Sequence, residues 1–198
     1  LGLLLVIPLL LIGFIGPLLN LGDPLATDPL NSLSPIGVNG HLLGTDQNGR
    51  DLLVRMIVGL RTSLIVTVLS VAIGGSVGTA GGLMAGFYRG WVEQVIMRIV
   101  DVFLVFPAIL VAIAVISFVG GSLPNLILVI SLLIAPVFAR VIHASTLVEV
   151  QRAFVEAARA LGDPNRRIII THIFPNVTTP LVIELPPMLG QAVLIEAS

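Results

Sequence analysis

The chain has 198 residues, 56% hydrophobic and 11% charged, with a formal net charge of -1 at pH 7. A soluble domain carries about 25% charged residues, so this composition argues against one and for a polytopic membrane protein, while the near-neutral charge argues against nucleic acid as a partner. There is no cysteine for a disulfide or a thiolate, and all ten basic residues are arginine, so a phosphate loop of the form G-x-x-x-x-G-K-[ST] cannot be built and any ATP that drives this chain is hydrolysed by another.

Leu3 to Leu19 is apolar apart from glycines and prolines and is close to the ~20 residues a span needs. It reads as a first span with its N-terminus in the cytoplasm, the alternative being a signal-peptide core. Asn20 to about Leu60 is polar and punctuated by Gly and Pro, which predicts irregular structure. Within it, Asp51 to Gly59 predicts a capped, short amphipathic helix at the membrane interface. Asp46, Asn48, Gly49 and Asp51 have a faint likeness to a calcium loop but lack the terminal bidentate Glu, so capping is the expected role and no metal site is expected.

Thr62 to Tyr88 is the second predicted span. Gly74, Gly78, Gly82 and Gly86 recur every fourth residue, making one smooth stripe for backbone-to-backbone packing, within the chain or against a partner subunit. Trp91 and Tyr88 suit the headgroup level of the turn that follows. Val95 to Val119 is the third span, kinked at Pro107, with Arg98 and Asp101 one turn apart and able to neutralise each other in a structural role. A direct part in transport is the other reading for that pair. Asn125 to Ile142 is the fourth span, with His143 at its exit as an interfacial side chain that has no partner at metal-ligand spacing. Roughly Ile173 to Ile195 is the fifth, made irregular by Pro175, Pro180, Pro186 and Pro187. Glu184 is the one carboxylate near the middle of a span. It either lines the solute pathway or is a hydrogen-bonded packing residue at a proline-broken site.

Between the last two spans lies the most polar stretch of the second half, about 146–170. It predicts two short helices. The first, Thr146 to Leu161, has Glu149/Arg152 and Glu156/Arg159 at i,i+3 and an alanine-rich surface. Gly162 ends it in the left-handed conformation, and Asp163 caps a second helix opening at Pro164. Small side chains let another protein approach this backbone closely; the plain alternative is a loop that caps two spans. With the N-terminus inside, Arg89, Arg140, Arg152, Arg159, Arg166 and Arg167 are cytoplasmic against Arg50, Arg55 and Arg61 outside, in line with the positive-inside rule.

Glu156-Ala157-Ala158, then Gly162, then His172-Ile173-Phe174-Pro175 resembles the EAA loop of permease subunits of ATP-binding-cassette (ABC) importers. His172 and Phe174 stand where the broad pattern has isoleucine and leucine; the histidine is similar to the dipeptide/oligopeptide/nickel branch. Leu43-Gly44-Thr45-Asp46 with Gly49-Arg50-Asp51, Met97-Arg98-Ile99-Val100-Asp101-Val102-Phe103, and Leu194-Ile195-Glu196-Ala197-Ser198 extend the resemblance, in the family's order, over nearly the whole chain.

The resemblance implies an all-α polytopic bundle of the type I ABC importer fold, with about five spans in this stretch. It divides the chain into 1–60, a first span plus an external segment, and 61–198, the transport core, continuing in the family beyond Ser198. It implies the second permease of a peptide or nickel uptake system in a prokaryotic inner membrane. The partners would be ATPase subunits, a homologous permease and an extracytoplasmic solute-binding protein, with Glu156, Ala157, Ala158, Gly162 and Pro175 in the coupling element. No cofactor is implied.

Catalytic patterns are missing: His41, His143 and His172 lie far apart, and no Gly-x-Ser-x-Gly elbow occurs. An ion-coupled secondary transporter is the alternative function, but only Glu184 and Asp101 are placed to serve it, where several core ionisable groups are usual.

Overall fold

The computed structural model describes residues 8, 11–16 and 22–197; from Leu52 onward these are mainly helical, and among the described residues there are two isolated bridges and no strand. They form two units, Leu1–Ile65 and Val66–Ser198. Most of the predicted first span, Leu3–Leu19, lies outside the described residues.

In the first unit, the polar segment is held by carboxylates and one threonine rather than by secondary structure. Asp28 caps a single 3-10 turn, Pro29–Asn31, accepting the Leu30 N–H at 3.1 Å. Thr45 is buried; its Oγ1 accepts the Ser34 N–H at 2.9 Å and donates to the Asn31 carbonyl. Asp46 accepts the N–H groups of Asn48 (2.8 Å) and Arg50 (3.0 Å) and pairs with Arg55. The Arg50 N–H is the main reason the Asp46 carboxyl titrates below its ordinary range. Gly49 has φ +73°, and a Cβ there would run into the Asp28 carbonyl, so only glycine fits.

Asp51 ends this segment and starts the first helix. Its Oδ1 accepts the Val54 N–H at 3.1 Å while Oδ2 lies 2.8 Å from His41 Nδ1. The helix it caps, α1, is Leu52–Tyr88, 37 residues or about 55 Å at 1.5 Å per residue, against a hydrocarbon core of about 30 Å. The separate interfacial helix expected at Asp51–Gly59 is therefore the first turns of one continuous helix. No proline interrupts it, and Thr62 Oγ1 bonds back to the Val58 carbonyl at 3.1 Å, so the polar residues at 61–62 do not break it.

In the second unit the central helix is α4, Leu123–Glu149, with buried residues from Val129 to Thr146. Around it stand the remainder of α1, then α2 (Gly90–Val105), α3 (Ala108–Val119) and α6 (Phe174–Glu196). The four-residue glycine stripe of α1 lies against α4. A Cβ on Gly74 would stand 2.6 Å from the Ser131 carbonyl oxygen, one on Gly82 2.6 Å from that of Ala139, and one on Gly86 2.6 Å from Thr146 Cβ. At Gly78 the obstacle is the Ala135 carbonyl, with Phe138 Cβ at 2.8 Å. Backbone thus meets backbone along four turns, within one chain. A core of Val66, Val71, Ala112, Ile130, Ile134, Phe138, Met188 and Ala192 joins α1, α3, α4 and α6.

Among the described residues α1, α4 and the stretch Asn165–Glu196 are long and apolar enough to cross a membrane, and the bent pair α2–α3 is a further candidate. The third predicted span, read as one kinked helix, is instead broken: α2 and α3 meet at 95°. Pro107 offers no N–H and forces Phe106 into an extended conformation (φ -87°, ψ 141°), which ends α2 outright. The fifth predicted span is more regular than its prolines suggest. Pro180, Pro186 and Pro187 sit inside a continuous α6, while Pro175 occupies its first turn, where a missing N–H is harmless.

Candidate functional site

The polar stretch between α4 and α6 is built from the end of α4 onward. The predicted helix Thr146–Leu161 is split: α4 continues to Glu149, a turn follows at 150–152 with Arg152 3.5 Å from Glu149, and α5 is Ala153–Ala160. α5 is amphipathic. Val155 and Ala158, three residues apart, are buried, while Glu156, Ala157, Arg159, Ala160 and Leu161 are exposed. Leu161 is 86% exposed, a large apolar side chain presented at the end of an alanine-faced helix.

Gly162 closes α5 with φ +82°. Its own N–H bonds the Arg159 carbonyl and the Asp163 N–H bonds the Ala158 carbonyl, each at 3.0 Å, the paired pattern of a Schellman ending. Nothing lies within 4 Å of where a Cβ would be, so the demand for glycine here is conformational alone. Asp163 does not cap the next turn. Pro164 is extended (ψ 145°) and takes the cap position itself, so the turn is Asn165–Arg167, and Asp163 pairs with Arg167 at 3.4 Å instead. His172 Nε2 lies 4.0 Å from the same carboxylate.

The buried side of α5 rests on a cluster drawn from three long helices: Leu83 and Phe87 of α1, Ile142 of α4, Val177 of α6, and Ile168 and Ile173 between. Arg159 is not matched to Glu156, as the i,i+3 spacing suggested. Its guanidinium lies over the Phe87 ring, 5.2 Å from the centroid, because that ring closes the end of α1 directly beneath it. Ile168–Ile173 is a π-helical segment, with the Phe174 N–H reaching back five residues to the Ile169 carbonyl. The wide turn immediately precedes Pro175, and the Asn176 side chain donates to the His172 carbonyl at 2.6 Å. The exposed Pro175 is therefore the point where the polar stretch becomes α6.

Glu184 is half-buried on α6 and makes no hydrogen bond or ion pair with the described residues. The remaining polar cluster lies between α2 and α4. Asp101 pairs with Arg140, not with Arg98, and His143 Nε2 stands 2.8 Å from Glu93 Oε1. These groups border an open cleft of about 700 Å³ that also includes Trp91 and Arg98. Local spacing favoured Arg98 because it lies on the same helix; α4 supplies a guanidinium to the Asp101 face that no local rule reveals. One signal was present: acidic residues two turns apart on one segment and two basic ones a turn apart on the next.

Residues 78–197 match the family model described as "binding-protein-dependent transport system inner membrane component". The chain is 38% identical over 160 residues to the glutathione transport system permease protein GsiD of Pectobacterium atrosepticum, covering 81% of this chain and 53% of that protein. It is 36% identical over 197 residues to the dipeptide transport system permease protein DppC of Alkalihalophilus pseudofirmus, covering 100% of this chain and 64% of that protein. GsiD of Escherichia coli O6:K15:H31 is 39% identical over 158 residues, or 80% of this chain and 52% of that protein. The chain thus spans between half and two thirds of the length of these relatives.

Proposed function

The chain belongs to the binding-protein-dependent transport inner membrane component family, the permeases of ABC importers, and from that premise we propose that it is one of two permease subunits of a peptide importer driven by a separate ATPase. The relatives named for dipeptide and glutathione transport favour small peptides as the solute class over nickel. α5 is the docking element, with Ala157, Ala160 and Leu161 entering a groove on the ATPase and Glu156 and Arg159 at its rim. The N-terminus and α5 lie on the cytoplasmic side, and an external binding protein delivers the solute.

One observation carries this reading: a short helix with an exposed small-residue face rests its two buried residues on the ends of α1, α4 and α6 at once. Displacing it displaces three long helices. ATP closure then needs only a different affinity of the ATPase pair for α5 in the two states of the bundle in order to bias inward against outward opening. Gly162 and its Schellman ending hold the angle between α5 and the following turn, and the π segment passes the movement into α6. Glu184 faces the solute path in this scheme. The test is a cysteine placed at Ala157, in a chain that has none of its own, crosslinked to the ATPase subunit during ATP turnover. A crosslink that changes in yield with nucleotide supports docking; no crosslink in an assembly that hydrolyses ATP overturns it.

A further inference from the structure

α2 is attached to the rest of its unit differently from its neighbours. It contributes no residue to either apolar core cluster, and its one buried residue is Val100. Beneath it, an apolar crevice of about 190 Å³ remains along the Gly78–Gly81 stretch of α1 and Pro136 of α4. Both of its ends are breaks in the helical path. Arg89 (φ +53°) precedes it, Gly90 (φ +57°) opens it, and the 95° bend at Phe106–Pro107 follows it. A left-handed non-glycine residue is uncommon and marks a sharp change of direction. α2 itself lines the crevice with Ile96, Ile99, Val100 and Phe103, and beside that apolar face two polar contacts tie it to α4, Asp101 to Arg140 and Glu93 to His143, both within one turn of that helix.

α4 runs on from Arg140 and His143 to Glu149, three residues short of α5. Accepting α5 as the docking element, we propose that α2 is a movable strut and that the Asp101–Arg140 and Glu93–His143 pairs are the positioning contacts that carry displacement of α4 to α2 and, through the Pro107 bend, to α3. Apolar packing couples α5 to α1, α4 and α6 directly; α2, which has no residue in that cluster, is joined to α4 by these polar contacts beside its own apolar face. An ion pair and a histidine–carboxylate contact suit that task, because they hold a direction without filling the crevice that the strut moves over.

The experiment uses the full-length permease assembled with its ATPase and binding protein in liposomes. Val105, exposed at the end of α2, is replaced by cysteine, and its maleimide labelling rate is measured without nucleotide and with Mg-ATP plus orthovanadate. With the pair intact the two rates are expected to differ by about five-fold or more. Asp101→Asn is expected to reduce the difference to less than about two-fold, and the reversal Asp101→Arg with Arg140→Asp to restore most of it, as a double-mutant cycle on a true pair requires. Arg140→Gln carries the same expectation and stands in if Asp101→Asn does not assemble. A nucleotide response that survives Asp101→Asn, is absent with the pair intact, or is not recovered by the reversal overturns the strut. Failure of the unsubstituted permease to co-purify with its ATPase overturns instead the docking reading on which the strut rests.

Discussion

Arg159 lies over the face of Phe87, its guanidinium carbon 5.2 Å from the ring centroid, so the exposed helix α5 is pinned to the last turn of α1 by one cation on one ring. The two halves of this contact differ in what they contribute. Phe87 is 6% exposed and packs with Leu83, Val155 and Ile173, whereas Arg159 adds only the charge–ring attraction at the surface. Phe87→Ala is expected to destabilise the folded permease by about 3–5 kcal/mol, and Arg159→Gln by about 0.5–1 kcal/mol. Thermal unfolding of the detergent-solubilised protein measures both, and equal losses would show that the ring has no packing role.

The α1 glycines offer a second contrast. At Gly78 an added methyl meets the Ala135 carbonyl and Phe138 Cβ, both fixed by the backbone of α4, so Gly78→Ala is expected to push the two helices apart and cost about 1–3 kcal/mol. At Gly59, on the same helix, nothing lies within 4 Å, and Gly59→Ala is expected to stabilise by about 0.5–1 kcal/mol through lower chain entropy. The melting temperatures of the two variants should move in opposite directions.

What the amino-acid order revealed, and what it hid, follows from how local each cause is. The glycine period, the helix ending at Gly162 and a disturbance at Pro107 are set by single residues acting on their own backbone, and each is visible in the chain, although at Pro107 the expectation is a kink and the helix breaks. The angle at Pro107 is not, because proline dictates only that Phe106 be extended; the packing of α3 across α4 and α6 sets the rest. Charge partners were hidden for the same reason. Arg98 and Glu156 are the local candidates for Asp101 and Arg159, yet Arg140 and Phe87 win, since each is brought across from another helix. Asp163 looked like a cap until Pro164, extended, took that position. The continuation of α1 through 61–62 was hidden by two polar residues whose cost a helix surface largely absorbs.

Asp51 predicts a pH dependence for the polar segment that precedes α1. Burial works against its charged form, but the hydrogen bond from His41 and those from the Val54 and Leu53 N–H groups outweigh it, and its pKa is lowered below 3.8. A carboxyl depressed in the folded state stabilises fully above its unfolded pKa and loses that stabilisation as pH falls through the folded value. Hydrogen-exchange protection of the Val54 amide should therefore be level down to about pH 5 and fall only in the acid range below 3.8. Asp51→Ala should lower it at neutral pH by the ~1 kcal/mol of a lost cap, while Asp51→Asn, which still caps, should lose mainly the His41 contact.

Gly162 separates conformation from contact. With φ +82° and open space around the missing side chain, Gly162→Ala strains only the backbone, by about 1 kcal/mol, and Gly162→Asn, which tolerates the left-handed region, by less. On the proposed coupling role, solute uptake per ATP hydrolysed in reconstituted vesicles is expected to rank Gly162 above Asn above Ala, and to collapse for Gly162→Val, where β-branching resists the positive φ. An unchanged ratio for the valine variant would mean that the angle held at this residue plays no part in coupling.

For Glu184 the two readings part on stability against transport. A carboxylate that serves packing should be found hydrogen-bonded, and its loss should lower the melting temperature; here it is half-buried on α6 without a partner among the described residues. A carboxylate that faces a wet path can be replaced at little structural cost but changes what passes. Glu184→Gln is therefore expected to leave thermal stability within about 0.5 kcal/mol, the usual range for a substitution outside the packed core, while lowering uptake at every pH tested. Wild-type uptake across that pH range would remove Glu184 from the path, and a large loss of stability with uptake per folded molecule unchanged would assign it to packing.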